Sequence, residues 1–287
     1  MKVIVDIKAG LGNQLFCYAF GYAISQKAGA DLYIDTSVLD RKQIKGRYLE
    51  LLNFSVPYKK RISFFYTYNP ILKKIKFNRI MKRLSIGLCT NVYKEEKKDA
   101  LDVNVFNVQK NTYFDGYWQN YKYFDNYRKE LLDLLILNNT FTNDTLENEI
   151  KNLNSVSIHI RRGDYVSAGW GIPMDYYPKA IERLKKETKD SYLSAYVFSD
   201  DIEFAKKYFN DNPVDNVNFT YMDYSSDNKT ISDLHLMSCC KHNIIANSTF
   251  SWWAAYLNRN EEKIVICPET GKWNEDFYPS EWIRIKA

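Results

Sequence analysis

The N-terminal residues alternate between apolar runs and turns in a pattern typical of a β-α-β unit. Lys2–Ile7 has the near-continuous apolar character of a buried strand, and Gly10–Gly12 follows as a tight turn. From Asn13 to Gly29 the apolar residues recur at helical spacing, and Leu32–Ile34 has the character of a second strand, which ends at Asp35. This order of elements predicts a parallel sheet.

The second half of the chain repeats this alternation after a polar, Asn-rich stretch at 138–154. The pattern predicts strands over Ser155–Ile160, Tyr192–Phe198, Val217–Met222, Asn243–Ala246 and Ile264–Ile266, and helices over Tyr176–Lys186, Ile202–Phe209, Ile231–Cys240 and Ser251–Leu257. Two β/α halves with a crossing between them predict an α/β fold of two Rossmann-like domains, 1–152 and 153–287, that face a cleft.

Composition narrows the class of protein. A net charge of +5 is too small to indicate nucleic-acid binding. The five cysteines include no C-x-x-C pair, which favours a reducing cytosol. The N-terminal apolar run is too short for a signal peptide, and no apolar stretch approaches a membrane span. We therefore expect a cytoplasmic protein, either soluble or peripheral to a membrane. The aromatic content of 16% fits either sugar-stacking platforms or a Tyr-rich core.

A basic segment interrupts the first half. Residues 51–94 contain ten lysines and arginines and no acidic residue. Within this segment, Ile71–Leu84 has the pattern of a basic amphipathic helix. Such a helix either lies on an anionic membrane surface, here the cytoplasmic face of the inner membrane, or exposes a solvated face while its apolar side packs inward.

The most informative motif is HIRRGDY, which ends the predicted strand at Ser155–Ile160. It places His159, Arg161, Arg162 and Asp164 at the carboxyl end of that strand, where open α/β sheets bind ligands. Two adjacent guanidiniums suit a diphosphate, because guanidinium is permanently charged and binds phosphate oxygens in a fork. The alternative is a surface turn in which Arg162 pairs with Asp164.

The first turn supports a second interpretation. Gly10 and Gly12 lie between a strand and a helix, and Asp35 ends the next strand, as in a dinucleotide fingerprint. Leu15 stands where the third glycine belongs, so the fingerprint is partial. On these residues an NAD-dependent reductase is an alternative; otherwise the loop brings backbone amides and the carboxamide of Asn13 to the cleft.

Two further motifs follow predicted strands. Ser199, Asp200 and Asp201 offer acceptors for a guanine edge or ribose hydroxyls; alternatively, Ser199 or Asp200 caps the helix that begins at Ile202. The second motif, Asn247, Ser248 and Thr249, precedes a helix, whose N-terminal amides bind phosphate readily.

No metal site is predicted. The chain contains no Asp-x-Asp, the usual means by which a sugar transferase holds a divalent ion against a nucleotide diphosphate. The cluster His235, Cys239, Cys240 and His242 has no standard metal spacing, and helical phase spreads its members around the element. Arginines and helix-terminal amides would then have to balance a diphosphate.

Together, the blocks GLGNQLF, HIRRGDY, FSDD and ANSTFSWWAAYL resemble the bacterial and animal α-1,2-fucosyltransferases, glycosyltransferase family 11. The blocks keep the family's order and spacing and cover most of the chain. HIRRGDY also resembles the H-x-R-R motif of the α-1,6- and protein O-fucosyltransferases. Two positions depart from the pattern: Cys17 replaces a residue that is polar in many relatives, and Ala9 replaces a glycine, which narrows the freedom of the turn.

The resemblance implies a GT-B fold with an N-terminal acceptor domain and a C-terminal GDP-fucose domain. It implies inverting, metal-independent transfer of L-fucose from GDP-β-L-fucose to the 2-hydroxyl of a terminal galactose on an oligosaccharide or glycolipid. No cofactor is expected beyond this donor. The product would be an O-antigen, a capsule or a host-like H antigen, and the oligomeric state stays open.

The resemblance also assigns roles to residues. Arg161 would contact the β-phosphate and stabilise the leaving GDP. His159, with Asp200 or Asp201, would hold the guanosine, and Ser248 and Thr249 would present amides to the diphosphate. Asn13 would lie near the reacting sugar. Inversion requires a general base, for which Asp164 is the candidate unless it only orients Arg162. A glycan-binding module without nucleotide affinity is the non-enzymatic alternative. In such a module Arg161 would have no phosphate to bind.

Overall fold

The structure is a computed structural model of the full chain, and it describes residues 1–39, 48–62, 91–138, 144–224 and 229–287. Ile71–Leu84, for which we predicted a basic amphipathic helix, lies outside the described residues. The chain divides into two compact units, Met1–Ile136 and Leu137–Ala287. Across the described ranges, no helix combines the length and apolar character needed to cross a membrane.

The first unit is a five-stranded parallel sheet in the order β3-β2-β1-β5-β4. Among its described residues, the strands are β1 (Lys2–Asp6), β2 (Asp31–Asp35), β3 (Lys60–Ile62), β4 (Asn91–Lys94) and β5 (Thr112–Asp115), and the α-helices are α1 (Leu11–Ala28) and α2 (Arg128–Leu134). The predicted β1-α1-β2 opening is confirmed. The helix begins at Leu11, however, so Gly12 lies within α1 and not in the turn as predicted.

Helix α1 packs closely on the sheet. A Cβ atom at Gly21 would lie 2.6 Å from a methyl of Val5, so only glycine permits this approach. Next to it, the ring of Phe20 stacks on Trp118, with ring centroids 4.2 Å apart. The helix ends at Gly29 in the left-handed conformation, a common helix stop. These buried rings belong to the core, which accounts for part of the high aromatic content.

The second unit is a six-stranded parallel sheet in the order β11-β10-β9-β6-β7-β8. The strands are β6 (Ser155–Ile160), β7 (Leu193–Ser199), β8 (Val217–Tyr221), β9 (His242–Ile244), β10 (Val265–Glu269) and β11 (Ile283–Lys286). The helices are α3 (Asp144–Asn152), α4 (Gly163–Ser167), α5 (Tyr176–Thr188), α6 (Ile202–Asp211), α7 (Lys229–Cys239) and α8 (Thr249–Leu257).

The long predicted elements of this unit are confirmed, with β11 as an additional strand. Trp252 and Trp253 in α8 are both fully buried, as expected for packing residues. Helix α3 precedes the boundary predicted at residue 152, yet its side chains bind the second unit: Glu149 accepts a hydrogen bond from Tyr196 in β7, and Glu147 contacts His235 in α7. These polar contacts explain how a helix in the Asn-rich stretch belongs to the second unit.

Candidate active site

The strand order of the second sheet defines where a ligand can bind. From β6 the chain winds through β7 to β8 on one side, and it then returns to β9 on the other side. In an open parallel sheet, such a reversal leaves a crevice at the carboxyl ends of the two central strands. Arg161 follows β6, and Asn247 lies just beyond β9, so two of the predicted motifs meet at this point.

Arg161 is held between two carboxylates. Its Nη1 lies 2.8 Å from Oδ2 of Asp200, and its Nη2 lies 2.6 Å from Oδ1 of Asp164. Guanidinium has five N–H donors, and these two contacts fix its plane while using two of them. The structure thus pairs Asp164 with Arg161, whereas the alternative interpretation of the motif paired it with Arg162.

The side chain of Arg162 has different partners from that of Arg161. Its Nε lies 3.1 Å from Oδ2 of Asp201, and its guanidinium carbon lies 3.3 Å from the ring centroid of Phe204 in α6. Consecutive side chains of an extended chain point to opposite sides, which separates the two arginines. Its backbone N–H donates to Oδ1 of Asp200 at 2.8 Å. Arg162 thus fastens the HIRRGDY turn to the turn after β7.

Gly163 has a steric reason to be glycine. A Cβ atom there would lie 2.7 Å from Oδ2 of Asp200, the same oxygen that pairs with Arg161. Any side chain at this position would displace the carboxylate that orients the guanidinium. Glycine at position 163 therefore allows the turn after β6 to lie this close to the turn after β7.

The FSDD turn caps α6, but the capping residue is Asp201 and not, as predicted, Ser199 or Asp200. The hydroxyl of Ser199 accepts the Asp201 backbone N–H at 3.0 Å, and Oδ1 of Asp201 accepts the Phe204 N–H at 3.3 Å. Asp201 thus combines a helix cap with the ion pair to Arg162. Nucleoside binding by this turn stays a prediction.

His159 is buried at the end of β6 and is 6% exposed. Burial, and secondarily the charge of Arg161, lowers its pKa from 6.5 to about 3, so the imidazole is neutral near pH 7. Its Nδ1 has no hydrogen-bond partner among the described residues. A buried polar atom of this kind normally finds a partner, so it is available to a neutral ligand group.

The turn after β9 has a similar unpaired atom. Nδ2 of Asn247 donates to the carbonyl of Trp170 at 2.9 Å, which identifies Oδ1 as the acceptor end. This Oδ1 is buried and has no partner within the described part of the chain. Next to it, Ser248 caps α8 by accepting the Phe250 N–H at 3.3 Å. The Ser248 hydroxyl is thus used internally, while Thr249 begins the helix whose N-terminus favours anions.

Sequence reasoning missed Lys272, which follows β10. Its ammonium Nζ lies 3.9 Å from the ring centroid of Tyr165, 4.6 Å from that of Trp170 and 4.7 Å from that of Trp273. The available signal was a Gly-Lys-Trp turn after the last predicted strand. Its contacts come from distant loops and have no signature in sequence spacing.

The carboxyl edge of the first sheet has its own polar cluster. Nζ of Lys8 lies 3.4 Å from Oδ2 of Asp6 and 3.1 Å from Oδ1 of Asp115. Burial alone would lower the pKa of Lys8, but the nearby acidic groups outweigh burial and raise it. Oδ1 of Asn13 accepts a hydrogen bond from Nε2 of Gln119. Asn13 is thus fixed beside Gln119, a residue that sequence reasoning missed.

The same edge argues against a dinucleotide site. Asp35 is 1% exposed, and its carboxylate accepts hydrogen bonds from the Ser37 backbone at 3.0 Å and the Tyr113 hydroxyl at 2.8 Å. The acid that would bind a ribose is therefore committed to the core. Helix α1 begins directly after Gly10, and Leu15 is fully buried. The NAD-dependent reductase loses its main support.

One group of potential metal ligands lies away from the carboxyl edge. The ligand atoms of Glu147, His235 and Cys239 lie within 4.8 Å of one another. Nε2 of His235 is 2.8 Å from Glu147, which also pairs with Lys151, while burial raises the pKa of Cys239 to about 12. In this arrangement, hydrogen bonds and an ion pair already satisfy the group and link α3 to α7.

The fold and these motifs define a class. Two parallel α/β sheets, with the arginine turn at the carboxyl edge of the second, match the architecture of GT-B-like glycosyltransferases, and the fold prediction is confirmed. Residues 2–286 match the family model described as glycosyl transferase family 11. The chain belongs to this family.

Curated relatives support the assignment. An α-1,2-colitosyltransferase of Escherichia coli is 33% identical over 302 residues, covering 99% of each chain. The O-antigen biosynthesis glycosyltransferase WbnK of Escherichia coli is 33% identical, covering 93% of each chain. A galactoside 2-α-L-fucosyltransferase of Caenorhabditis elegans is 26% identical, covering 62% of this chain and 53% of its own.

Solved structures share the fold. An Arabidopsis thaliana FUT1 mutant in complex with GDP superposes with a TM-score of 0.52, at 13% identity, covering 97% of this chain and 74% of its own. The α-1,6-fucosyltransferase NodZ soaked with GDP-fucose has a TM-score of 0.50, at 15% identity, covering 89% and 92%. At these identities the likeness concerns the fold alone.

Proposed function

We propose that this glycosyltransferase moves L-fucose from GDP-β-L-fucose to the 2-hydroxyl of a terminal galactose, with inversion and without a metal ion. One observation carries the proposal. Arg161 stands at the switch point of the second sheet, oriented by Asp164 and Asp200. A guanidinium fixed in this way can direct its remaining N–H donors at a leaving phosphate.

In the reaction, the bond between the sugar C1 and the phosphate oxygen breaks, and GDP leaves with the electron pair. The acceptor oxygen attacks C1 from the opposite face, which inverts the configuration, and its proton passes to a base. Arg161 stabilises the negative charge that develops on the departing phosphate. Because Asp164 binds Arg161, we assign it to positioning that guanidinium, and the base stays unidentified.

His159 and Asn247 are proposed to bind neutral groups of the donor. His159 Nδ1, which has no partner in the described part of the chain, belongs to a neutral imidazole, and this suits the nucleoside better than the phosphates. Asn247 Oδ1, likewise without a partner in the described ranges, can accept a hydrogen bond from a hydroxyl or amino group. The diphosphate lies between these residues, at the N-terminus of α8.

Colitose is the second candidate for the donor sugar, because an α-1,2-colitosyltransferase matches this chain over nearly its full length. Colitose is 3-deoxyfucose, so the two donors differ by one hydroxyl. A site that hydrogen-bonds the 3-hydroxyl of fucose would reject colitose by about 10⁴-fold, whereas an apolar lining would distinguish the two weakly. The preferred donor is therefore an experimental question with a clear readout.

The decisive experiment is turnover of the purified full chain with the GDP-activated forms of fucose and colitose. Each donor is offered with galactose-terminated oligosaccharides, and NMR reads the linkage of the product. We expect an α-1,2 product on a terminal galactose. Hydrolysis alone, or a product with another linkage, would contradict the acceptor proposal. Sugar binding without nucleotide affinity would favour the glycan-binding module.

Metal independence has its own test. Activity is expected to survive EDTA, because the chain contains no Asp-x-Asp to hold a divalent ion against the diphosphate. Loss of activity with EDTA and its recovery with Mn²⁺ or Mg²⁺ would overturn this part of the proposal. A loss recovered only by Zn²⁺ would direct attention to Glu147, His235 and Cys239.

The cellular setting is proposed from the relatives. Two Escherichia coli proteins that match nearly the whole chain are named for colitosyl transfer and for O-antigen biosynthesis. We propose an O-antigen-like, lipid-linked acceptor at the cytoplasmic face of the inner membrane. Binding to anionic vesicles at low salt tests the contribution of Ile71–Leu84. A protein that ignores such vesicles has no peripheral contact through this segment.

A further inference from the structure

The side chain of Lys272 ends in a box of aromatic rings. Its Nζ lies 3.9 to 4.7 Å from the ring centroids of Tyr165, Trp170 and Trp273. The negative π face of a ring attracts an ammonium group but, unlike a carboxylate, carries no net charge to neutralise it. The box therefore holds the Lys272 ammonium group in place beside these rings.

Hydrogen bonds locate this box beside the N-terminus of α8. Nζ of Lys272 donates to the Asn247 carbonyl at 3.2 Å, and Nε1 of Trp273 donates to the same oxygen at 3.1 Å. The Asn247 side chain in turn donates to the Trp170 carbonyl at 2.9 Å. The loops that follow β6, β9 and β10 are thus tied together, one residue before the Ser248 cap.

The charge of the two strand-end motifs favours an additional cation at a diphosphate site. Arg161 and Arg162 provide two positive charges, while Asp164, Asp200 and Asp201, which pair with them, provide three negative ones. The side chains of this cluster therefore carry a net charge of −1 by that count. A diphosphate, itself anionic, is bound poorly by a cluster with net negative charge.

We propose that Lys272 is the additional cation of the donor-phosphate site and binds the diphosphate directly. The inference rests on the proposed function and adds a residue to it. Tyr165 links Lys272 to the arginine turn, because the guanidinium carbon of Arg161 lies 5.5 Å from the ring centroid that Lys272 also faces. Lysine suits this role, since its flexible stem lets a compact point charge reach a phosphate oxygen.

The test compares two ligands that differ only in their phosphates. Isothermal titration measures the binding of GDP and of guanosine to the full chain and to Lys272→Met, which keeps most of the stem and removes the charge. We expect the affinity for GDP to fall by roughly 10- to 100-fold, as for loss of a charged hydrogen bond. The affinity for guanosine is expected to stay unchanged, and Lys272→Arg is expected to retain much of the affinity for GDP.

A matched control lies at the other end of α8. Nζ of Lys263 also donates to backbone carbonyls, those of Ala255 at 2.6 Å and Asn258 at 2.7 Å. Lys263→Met removes the same charge and the same kind of hydrogen bond away from the site, so it should leave both affinities unchanged. If Lys272→Met fails to fold, as judged by circular dichroism, Lys272→Gln repeats the test with a donor retained for the Asn247 carbonyl.

The outcomes separate this inference from the proposed function. If the native chain binds neither GDP nor GDP-fucose, the proposed function fails. If the native chain binds GDP and the Lys272 variants bind it equally well, only the role of Lys272 is overturned. Equal losses for GDP and guanosine would also overturn that role, because they would show that Lys272 only supports the fold.

Discussion

The carboxyl edges of the two sheets share a layout and differ in chemistry. In each unit a cation at the end of the first strand lies between two carboxylates: Lys8 between Asp6 and Asp115, and Arg161 between Asp164 and Asp200. An ammonium has three N–H donors, and two carboxylates engage most of them. A guanidinium has five and retains several for a ligand.

The groups that surround Lys8 and Arg161 also differ between the two edges. At the second sheet, Lys272 and the N-terminus of α8 add positive potential near Arg161. At the first sheet, the Asn13 carboxamide near the start of α1 is held by Gln119. The proposed function assigns these two edges different ligands: a diphosphate at the second sheet and an acceptor hydroxyl at the first. The topology positions the site, and the side chains determine its chemistry.

The largest expected effect concerns Arg161. Lysine keeps the charge but cannot bridge Asp164, Asp200 and a phosphate at once, so Arg161→Lys should lower kcat by at least about 10²–10³-fold. Turnover of GDP-fucose measures the loss, and circular dichroism verifies the fold. Arg162→Lys is the control, since Arg162 packs on Phe204, and its loss should be far smaller. Near-native turnover in Arg161→Lys would show that a guanidinium is not needed at the second edge, so the difference between Arg161 and Lys8 would not explain the difference between the two edges.

Acid stability should distinguish the two units next. All three histidines of the chain lie in the second unit, and burial lowers the pKa of His159 to about 3 and, together with Lys241, that of His242 to about 4. Because these values lie below 6.5, the unfolded chain takes up protons first as pH falls. Stability is therefore complete above pH 6.5 and is lost below it, by up to about 1.4 kcal/mol per pH unit for each histidine.

His242→Asn tests this account, because asparagine can still accept the Ile264 N–H that Nδ1 of His242 accepts at 3.0 Å. Denaturant unfolding at pH 7 and pH 5 should show a smaller loss of stability in the variant, by about 2 kcal/mol. An identical loss in the native chain and the variant would show that other groups control the acid response.

Asn13→Ala tests whether the carboxyl edge of the first sheet binds the acceptor. If this carboxamide hydrogen-bonds the acceptor sugar, its loss should raise the acceptor KM roughly three- to tenfold. The affinity for GDP, measured by titration, should not change, because the donor site is built from the second unit. A fall in GDP affinity comparable to the rise in KM would contradict the division of tasks between the two edges.

A helix or strand could be predicted from the sequence when it was long and when its pattern of apolar residues lay within the element itself. The 18-residue helix α1 and the buried strands β1 and β6 were predictable because their apolar spacing is internal to each element. The three-residue β3 and the half-exposed β4 and β11 were not, since their identity as strands comes from pairing with distant partners.

The same distinction holds at the site. Motif spacing located Arg161 and Asp200 at strand ends. The choice of Asp164 as partner for Arg161, and not for Arg162, depends on side-chain direction after the strand ends. The box around Lys272 combines three loops. That Nδ1 of His159 and Oδ1 of Asn247 lack partners among the described residues follows from the fold and not from motif spacing.

The smallest expected effect concerns the turn that opens the first edge. Ala9 has a φ of 62°, in the left-handed region, which costs a residue with a Cβ atom roughly 1–2 kcal/mol. Glycine removes this cost but adds flexibility to the unfolded chain, which offsets about 0.4–1 kcal/mol. Ala9→Gly should therefore stabilise the chain by roughly 0.5–1 kcal/mol in denaturant unfolding.

Gly29→Ala is the matched reverse change. Gly29 has a φ of 57°, and a Cβ atom there would meet no other atom within 4 Å, so only the backbone cost applies. This variant should lose stability by about as much as Ala9→Gly gains. If Ala9→Gly destabilises the chain while Gly29→Ala behaves as expected, the Ala9 side chain makes a compensating contact in the turn. The departure from glycine would then stabilise the first edge instead of straining it.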